Sequence, residues 1–199
     1  SFTYTKVEKN PTLADSDGVV RRGGEEQTVS NGSGGTVKGW EFSYQQSFDF
    51  LPGLLANTGM TVNYTYSPTE SPSSELLPDG SVAPFNNTAE DQANLVLWYQ
   101  DDKFEARVAA NYLGDQYQGK TSGWMWNPTN IDKGMPRYLK ETLFVDVTTA
   151  YNLTEDLQIT LAVNNLTEES NITYTQWEDF VDSYNIFERR ITAGVNYKF

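Results

Sequence analysis

Apolar and polar residues alternate along almost all of this chain, and the alternating segments are joined by connections that are long and short in turn. A period of two places successive side chains on opposite faces of a strand. In residues 104–112 one face carries Phe104, Ala106, Val108, Ala110 and Tyr112, and the other carries Glu105, Arg107, Ala109 and Asn111. Residues 157–164 divide in the same way, with Leu157, Ile159, Leu161 and Val163 against Gln158, Thr160, Ala162 and Asn164. The last segment sets Ile191, Ala193, Val195, Tyr197 and Phe199 opposite Arg190, Thr192, Gly194, Asn196 and Lys198. Eight strands are expected, over residues 2–9, 37–48, 60–66, 92–100, 104–113, 143–151, 157–165 and 188–199. No long segment shows the 3.6-residue spacing of an amphipathic helix. The expected class is all-β, built from antiparallel hairpins.

The greasy row of each strand faces either a protein core or lipid, and the connections discriminate between the two. Residues 10–36, 67–91, 115–142 and 166–187 are long, polar and turn-rich, whereas 49–59, 101–103 and 152–156 are short. A water-soluble sandwich has both ends in the same solvent and no reason to sort its loops. A barrel of the outer membrane does sort them, with short turns in the periplasm and long loops outside. With the C-terminus in the periplasm, every long connection falls outside and every short one inside. The terminal strand is about the 9–11 residues that cross a bilayer when tilted. Phe48, Tyr99, Phe104, Tyr151, Tyr197 and Phe199 lie near the short-turn ends, and Trp40, Tyr64, Tyr66 and Tyr112 near the long-loop ends. Two such aromatic girdles flank the apolar band of a membrane barrel. Cross-strand pairing of rings in a soluble sheet is the alternative, but eight half-polar strands would leave a sandwich little dry core. The expectation is an antiparallel transmembrane β-barrel, residues 1–199 forming one segment of it, in the outer membrane of a Gram-negative bacterium and in contact with outer-membrane lipid.

Composition removes other classes. There is no Cys and no His, so disulfides, thiolate or imidazole metal sites and Ser–His or Cys–His catalysis are excluded. Lys and Arg number 14 against 27 Asp and Glu, a net charge of −13, which argues against a nucleic-acid partner. Mean hydropathy is −0.57, and no apolar stretch approaches the length of a transmembrane helix. The carboxylate pairs Asp101-Asp102, Glu168-Glu169 and Glu178-Asp179 fall at turns or loops, where acids are solvated, so no enzyme is expected. Asp15-Ser16-Asp17-Gly18 opens like a calcium loop and Glu26 stands at its twelfth place, but Val19 holds the fifth and Gly the fourth rather than the sixth. No metal and no cofactor is expected. The chain starts at Ser1 in a strand-like segment without Met or signal peptide, which reads as a processed chain or a piece of a longer one.

Several ordered segments resemble a known family. Gly34-Gly35-Thr36-Val37-Lys38-Gly39-Trp40-Glu41-Phe42 resembles the G-x-V-x-G-x-E strand of TonB-dependent outer-membrane receptors. Phe48-Asp49-Phe50-Leu51-Pro52-Gly53-Leu54-Leu55 and Gly59-Met60-Thr61-Val62-Asn63-Tyr64-Thr65-Tyr66 resemble the subgroup abundant in Xanthomonas-, Caulobacter- and Alteromonas-type bacteria. Ala162-Val163-Asn164-Asn165-Leu166-Thr167 is similar to the family's N-N-L segment, and residues 190–199 to its terminal strand. The resemblance implies a 22-stranded barrel with an internal plug, of which this chain would be the last eight strands. The plug, the TonB box and the earlier strands would lie in the remainder of the receptor. It also implies energy from the inner-membrane TonB–ExbB–ExbD system, and a terminal aromatic, here Tyr197 and Phe199, read by the outer-membrane assembly machinery. A stand-alone eight-stranded barrel with a structural or adhesive role is the alternative.

The candidate binding residues are loop aromatics with polar neighbours. Tyr117, Trp124 and Trp126 lie in residues 115–142, and Tyr174, Trp177, Phe180 and Tyr184 in residues 166–187, beside Gln118, Asn127, Gln176 and Asp179. Rings exposed in polar loops suit a ligand with both apolar faces and hydroxyls, and a sugar is such a ligand. The expected substrate-binding set is Tyr117, Trp124, Trp126, Tyr174, Trp177, Asp179 and Tyr184. The other reading is that these rings pack loop against loop. The subgroup resemblance implies an oligosaccharide ligand, although siderophore and cobalamin receptors share the fold.

Overall fold

The structure, a computed structural model, describes residues 3–9, 25–31, 35–71, 76–77, 79–121 and 134–199, with side chains from Gly35 onward. The chain divides into two compact units, Ser1–Thr36 with Glu70–Ala83, and Val37–Thr69 with Pro84–Phe199.

In the smaller unit β1 (Thr3–Lys9) pairs antiparallel with β2 (Glu25–Asn31), in register from Thr3↔Asn31 to Lys9↔Glu25. The first expected strand is therefore present, but its partner lies inside residues 10–36, expected to be loop throughout. β2 contains one apolar residue, Val29, so hydrophobic alternation has nothing to register there. In the same unit Asp79 Oδ1 accepts hydrogen bonds from the Ser81 hydroxyl (2.7 Å) and N–H (3.0 Å), which hold its carboxyl below the usual range.

In chain order the remaining strands are β3 (Thr36–Val37), β4 (Trp40–Ser47), β5 (Thr58–Tyr66), β6 (Thr69–Glu70), β7 (Asp91–Gln100), β8 (Phe104–Leu113), β9 (Gln116–Lys120), β10 (Pro136–Leu139), β11 (Thr142–Asn152), β12 (Leu157–Asn164), β13 (Asn171–Thr175), β14 (Trp177–Asn185) and β15 (Arg190–Tyr197). Seven of them form one antiparallel meander in the order β4-β5-β7-β8-β11-β12-β15. These are the last seven of the eight expected strands, with ends shifted by a few residues. β1 is paired with β2 in a two-stranded sheet of the smaller unit. Among the described residues β4 and β15 each have one hydrogen-bonded neighbour in this sheet, so the sheet is open and no closed barrel is seen.

Register turns the alternation of single strands into two continuous faces. Trp40, Tyr66 and Asp91 are successive cross-strand neighbours, as are Tyr44, Val62, Leu95, Ala110 and Val145. Val108, Val147, Val163 and Ile191 continue the same apolar side to the last strand. The opposite side carries Ser43, Asn63, Asn94, Asn111 and, on β12 and β15, Ala162 and Thr192. The polar side lines a cavity of about 760 Å³ whose walls include Gln45, Thr61, Asn94, Arg107, Thr148, Thr160 and Thr192, one residue from each of the seven strands. A single face can close around such a space only if the sheet curls toward it. The polar side is thus concave and the apolar side convex.

Among the described residues no core covers the convex side. Leu97, Val108, Leu161 and Val195 are all exposed, Val195 at 68%. Among the described residues the buried apolar side chains of this unit are few, namely Ala89, Val96, Tyr117 and Tyr174. An apolar surface spread over seven strands is far beyond what a protein leaves in water. Its edges are aromatic. Trp40 packs against Tyr64 at 5.3 Å and Tyr66 at 6.3 Å near the long-loop ends, and Tyr99 against Phe104 at 6.0 Å near the short turns. From Phe104 to Tyr112 the strand runs about 26 Å, or roughly 20 Å along the normal at a tilt of about 40°, close to the height of a membrane barrel's apolar band.

One inward contact fixes local shape. Gly59 faces Trp98 across β5 and β7, and a Cβ there would lie 2.0 Å from Trp98 Cζ2. The indole occupies the space that a side chain at residue 59 would need, so a small residue and a large one share a single place on the concave wall.

Candidate functional site

Among the described residues, two of the long connections, 115–142 and 166–187, carry further strands. β9, β10, β13 and β14 form a second antiparallel sheet in the order β14-β13-β10-β9. β9 follows β8, β10 precedes β11, β13 follows β12 and β14 precedes β15. The second sheet therefore repeats the order of the wall from which its strands emerge. The sequence basis is short but clear: Asn171-Ile172-Thr173-Tyr174-Thr175 is rich in β-branched and aromatic residues. Gln176, at φ +60, turns the chain between β13 and β14, and its N–H donates to the Pro136 carbonyl (2.8 Å).

Tyr117, Tyr138 and Tyr174 stack across this sheet. Tyr138 pairs with Tyr117 on one side and Tyr174 on the other, with ring centroids 5.7 and 5.4 Å apart, the second pair stacked at 23°. Tyr117 is 3% exposed and Tyr174 7%. Two of the expected ligand rings are thus the packing of one loop against another, with Tyr138 between them. The Tyr174 hydroxyl donates to Asp115 Oδ2 (3.3 Å), and Asp115 Oδ1 accepts the Glu141 N–H (2.8 Å). Burial, and then the charge of Asp115, push the Tyr174 phenol well above its ordinary value, so it remains a neutral donor. Tyr138 is not among the residues expected from the sequence. Tyr138 sits on a four-residue strand, too short for alternation to be read.

Trp177, Asp179 and Tyr184 are presented differently. All three are exposed on β14, with Trp177 at 59% and Tyr184 at 56%. β14 is the edge of the second sheet. Its other acids are matched: Asp182 pairs with Arg137 at 3.0 Å and Glu178 with Lys140 at 2.7 Å. The Glu178 hydrogen bond and charge raise the Lys140 ammonium above its usual value. β14 bulges between Trp177 and Tyr184, and their cross-strand partners on β13, Thr175 and Ile172, are three residues apart, about 10 Å along a strand and beyond the 4.5–7 Å over which rings stack. They are not brought to one point. Trp124 and Trp126 lie outside the described residues.

The N-N-L segment has a local mechanical role. Asn165 is 7% exposed and stands at φ +54, where asparagine is tolerated better than most residues. Its N–H donates to Asp146 Oδ1 (2.8 Å). Its side-chain Nδ2 donates to the carbonyls of Glu169 (2.9 Å) and Phe187 (2.7 Å), and its Oδ1 accepts the Glu169 N–H (2.8 Å). One side chain thus ties the first residues after β12 to the last residues before β15, and so sets where β13 and β14 begin and end.

The concave wall below is wet and hydrogen-bonded. Ser43 donates to Asn63 (2.7 Å), Asn94 bonds Asn111, and Asn196 donates to Gln158 (3.3 Å). Such a lining can accompany a polar solute. Among the described residues no cluster of three acids is arranged to hold a metal ion.

Comparison with known proteins agrees with this geometry. The family model described as "TonB dependent receptor-like, beta-barrel" matches residues 4–166. The solved structure titled "Structure of the FpvAI-pyocin S2 complex" is similar at a TM-score of 0.56 and 15% identity, over 98% of this chain and 23% of that one. At that identity the likeness is one of fold, and this chain spans about a quarter of the other's length. No curated protein matches the sequence. The matched residues take in the G-x-V-x-G-x-E strand and the whole meander up to β12, and the chain belongs to the TonB-dependent receptor β-barrel family.

Proposed function

We propose that this chain supplies the last strands of an outer-membrane receptor of a Gram-negative bacterium. The receptor captures an oligosaccharide on its extracellular loops and imports it with energy from the TonB–ExbB–ExbD system. The observation that carries the reading is the curled meander, with its exposed apolar side outward, its polar side inward, and a sheet of aromatic and acidic residues above it. The remaining strands, to a total of 22, and the plug belong to the rest of the receptor. The Xanthomonas/Caulobacter/Alteromonas-type subgroup rests on the Phe48–Leu55 and Gly59–Tyr66 segments and favours a carbohydrate over a siderophore.

The ligand-contacting residues in this reading are Trp177, Asp179 and Tyr184, with Trp124 and Trp126, which lie outside the described residues. Tyr117 and Tyr174 belong to the sheet whose edge strand carries Trp177, Asp179 and Tyr184. The spacing of Trp177 and Tyr184, about 10 Å along the sheet, suits a ligand of more than one sugar unit. Titration of the full-length receptor with linear oligosaccharides, read by calorimetry, tests this. Trp177→Ala and Tyr184→Ala each remove a stacking partner worth about 0.5–1.5 kcal/mol, so affinity falls roughly two- to tenfold. Unchanged affinity in both variants removes the stacking role, and binding of an iron chelate instead of any oligosaccharide reassigns the ligand. The native polypeptide has a mass far above 22.4 kDa if the receptor reading holds, and near it if the barrel closes alone.

A further inference from the structure

The turn from β4 to β5 is unlike the other two short turns. Residues 101–103 are Asp-Asp-Lys and residues 153–156 are Leu-Thr-Glu-Asp, as expected for water. Residues 48–57 are Phe-Asp-Phe-Leu-Pro-Gly-Leu-Leu-Ala-Asn, with Asp49 as their one charge. Phe50 is 69% exposed, Leu54 73% and Leu55 55%. In a soluble hairpin such a turn would be a liability.

Its backbone largely satisfies itself. The Phe48 N–H donates to the Thr58 carbonyl (2.9 Å) and the Leu51 N–H to the Phe48 carbonyl (2.8 Å). Pro52 has no N–H to satisfy, and Gly53 enters a 3₁₀ turn over Gly53–Asn57 at φ +65. The Thr58 hydroxyl and N–H both close back on the Leu55 carbonyl. An apolar segment enters the boundary of a bilayer at low cost only when its backbone groups are paired in this way.

The turn also continues a surface already assigned to lipid. Phe48 follows Tyr44 and Gln46 on the outward row of β4, and Phe50 packs edge-on against Phe48 at 6.1 Å and 86°. We propose that residues 48–57 are a membrane-surface anchor. Phe50, Leu54 and Leu55 seat in the headgroup–acyl boundary of the periplasmic leaflet and hold this end of the wall at a fixed depth. Continuity with the lipid-facing side favours phospholipid over a protein partner, and a segment with one charge offers little of the polar rim that a protein interface carries. The inference rests on the meander being a membrane-spanning wall.

The sequence contains no cysteine, so a nitroxide can be placed by substitution in the full-length receptor, after removal of any cysteine elsewhere. Leu54→Cys reports the turn, Leu97→Cys the middle of the outward face and Asp102→Cys a water-facing turn. The receptor is reconstituted in phosphatidylethanolamine–phosphatidylglycerol vesicles, and collisions with oxygen and with a water-soluble nickel chelate are compared by power saturation. The expected order of oxygen preference is Leu97, then Leu54, with Asp102 far lower. Nickel preference at 54 with oxygen preference at 97 overturns the anchor and leaves the wall standing. Nickel preference at both overturns the two together. Access by neither reagent at 54 means that protein covers the turn, which overturns the lipid anchor in favour of a partner protein.

Discussion

Replacing Asn165 by Ala should loosen the outer loop between β12 and β15 without disturbing the wall. The side chain makes three hydrogen bonds, two from Nδ2 to the Glu169 and Phe187 carbonyls and one from the Glu169 N–H to Oδ1. At a net value of about 1 kcal/mol each, the loss is about 3 kcal/mol. Phe187 is exposed and Glu169 half-buried, so water reaches the freed groups and the full penalty for orphaned buried atoms does not apply. Holding Ala at φ +54 adds a further cost of up to about 1 kcal/mol. A local opening energy lowered by about 3 kcal/mol speeds amide exchange by roughly two orders of magnitude. Hydrogen–deuterium exchange of the full-length receptor, read on peptides covering 166–188, measures this directly. Asn165→Gly keeps the backbone geometry and loses the bonds, so it should lie close to Ala. Asn164→Ala, one residue earlier on the exposed polar face, should leave those peptides unchanged. If Asn165→Ala exchanges like the wild type over 166–188, the side chain does not hold the loop and the role assigned to the N-N-L segment is wrong.

Two further outcomes follow from the geometry. Gly59→Ala forces a Cβ into the Trp98 indole and should destabilise the folded receptor by about 1–3 kcal/mol in detergent. In a Trp98→Ala background the same substitution should cost much less, and equal costs in both backgrounds would mean that the two residues are not in contact. Tyr174 should be among the last phenols to ionise when absorbance at 295 nm is followed with pH, and Tyr174→Phe should remove that late component. Because its folded value is raised, its contribution to stability is complete below about pH 10 and is lost as pH climbs through the folded value. Loss of an early component instead would contradict its burial beside Asp115.

What the sequence reveals depends on what its pattern can record. The seven wall strands were legible because each carries an apolar row on one side and a polar row on the other, so alternation is sustained over many residues. Leu157–Asn164 and Arg190–Tyr197 are examples in which every second residue agrees. The same signal fails for β2, whose sides are both polar apart from Val29, and for β10, which is four residues long. At the candidate site, exposure alone can be compared with expectation. Trp177, Asp179 and Tyr184 stand exposed as expected of binding residues, but Tyr117 and Tyr174 are buried. A tyrosine in a polar loop has the same local sequence whether it meets a ligand or another tyrosine, and the Tyr138 that buries both is distant in the chain from each.

The joints between wall and upper sheet differ in length, and this sets how force passes through the molecule. β8 ends at Leu113 and β9 begins at Gln116, while β10 ends at Leu139 and β11 begins at Thr142, so two residues separate each pair. β12 and β13 are separated by residues 165–170, and β14 and β15 by 186–189. The inner half of the upper sheet is stiffly coupled to the wall, whereas the outer half, with Trp177 and Tyr184, hangs on longer links that one asparagine pins together. A load applied at β14 reaches Asn165 through its bond to the Phe187 carbonyl, and through its bond to Asp146 it enters the polar side of β11.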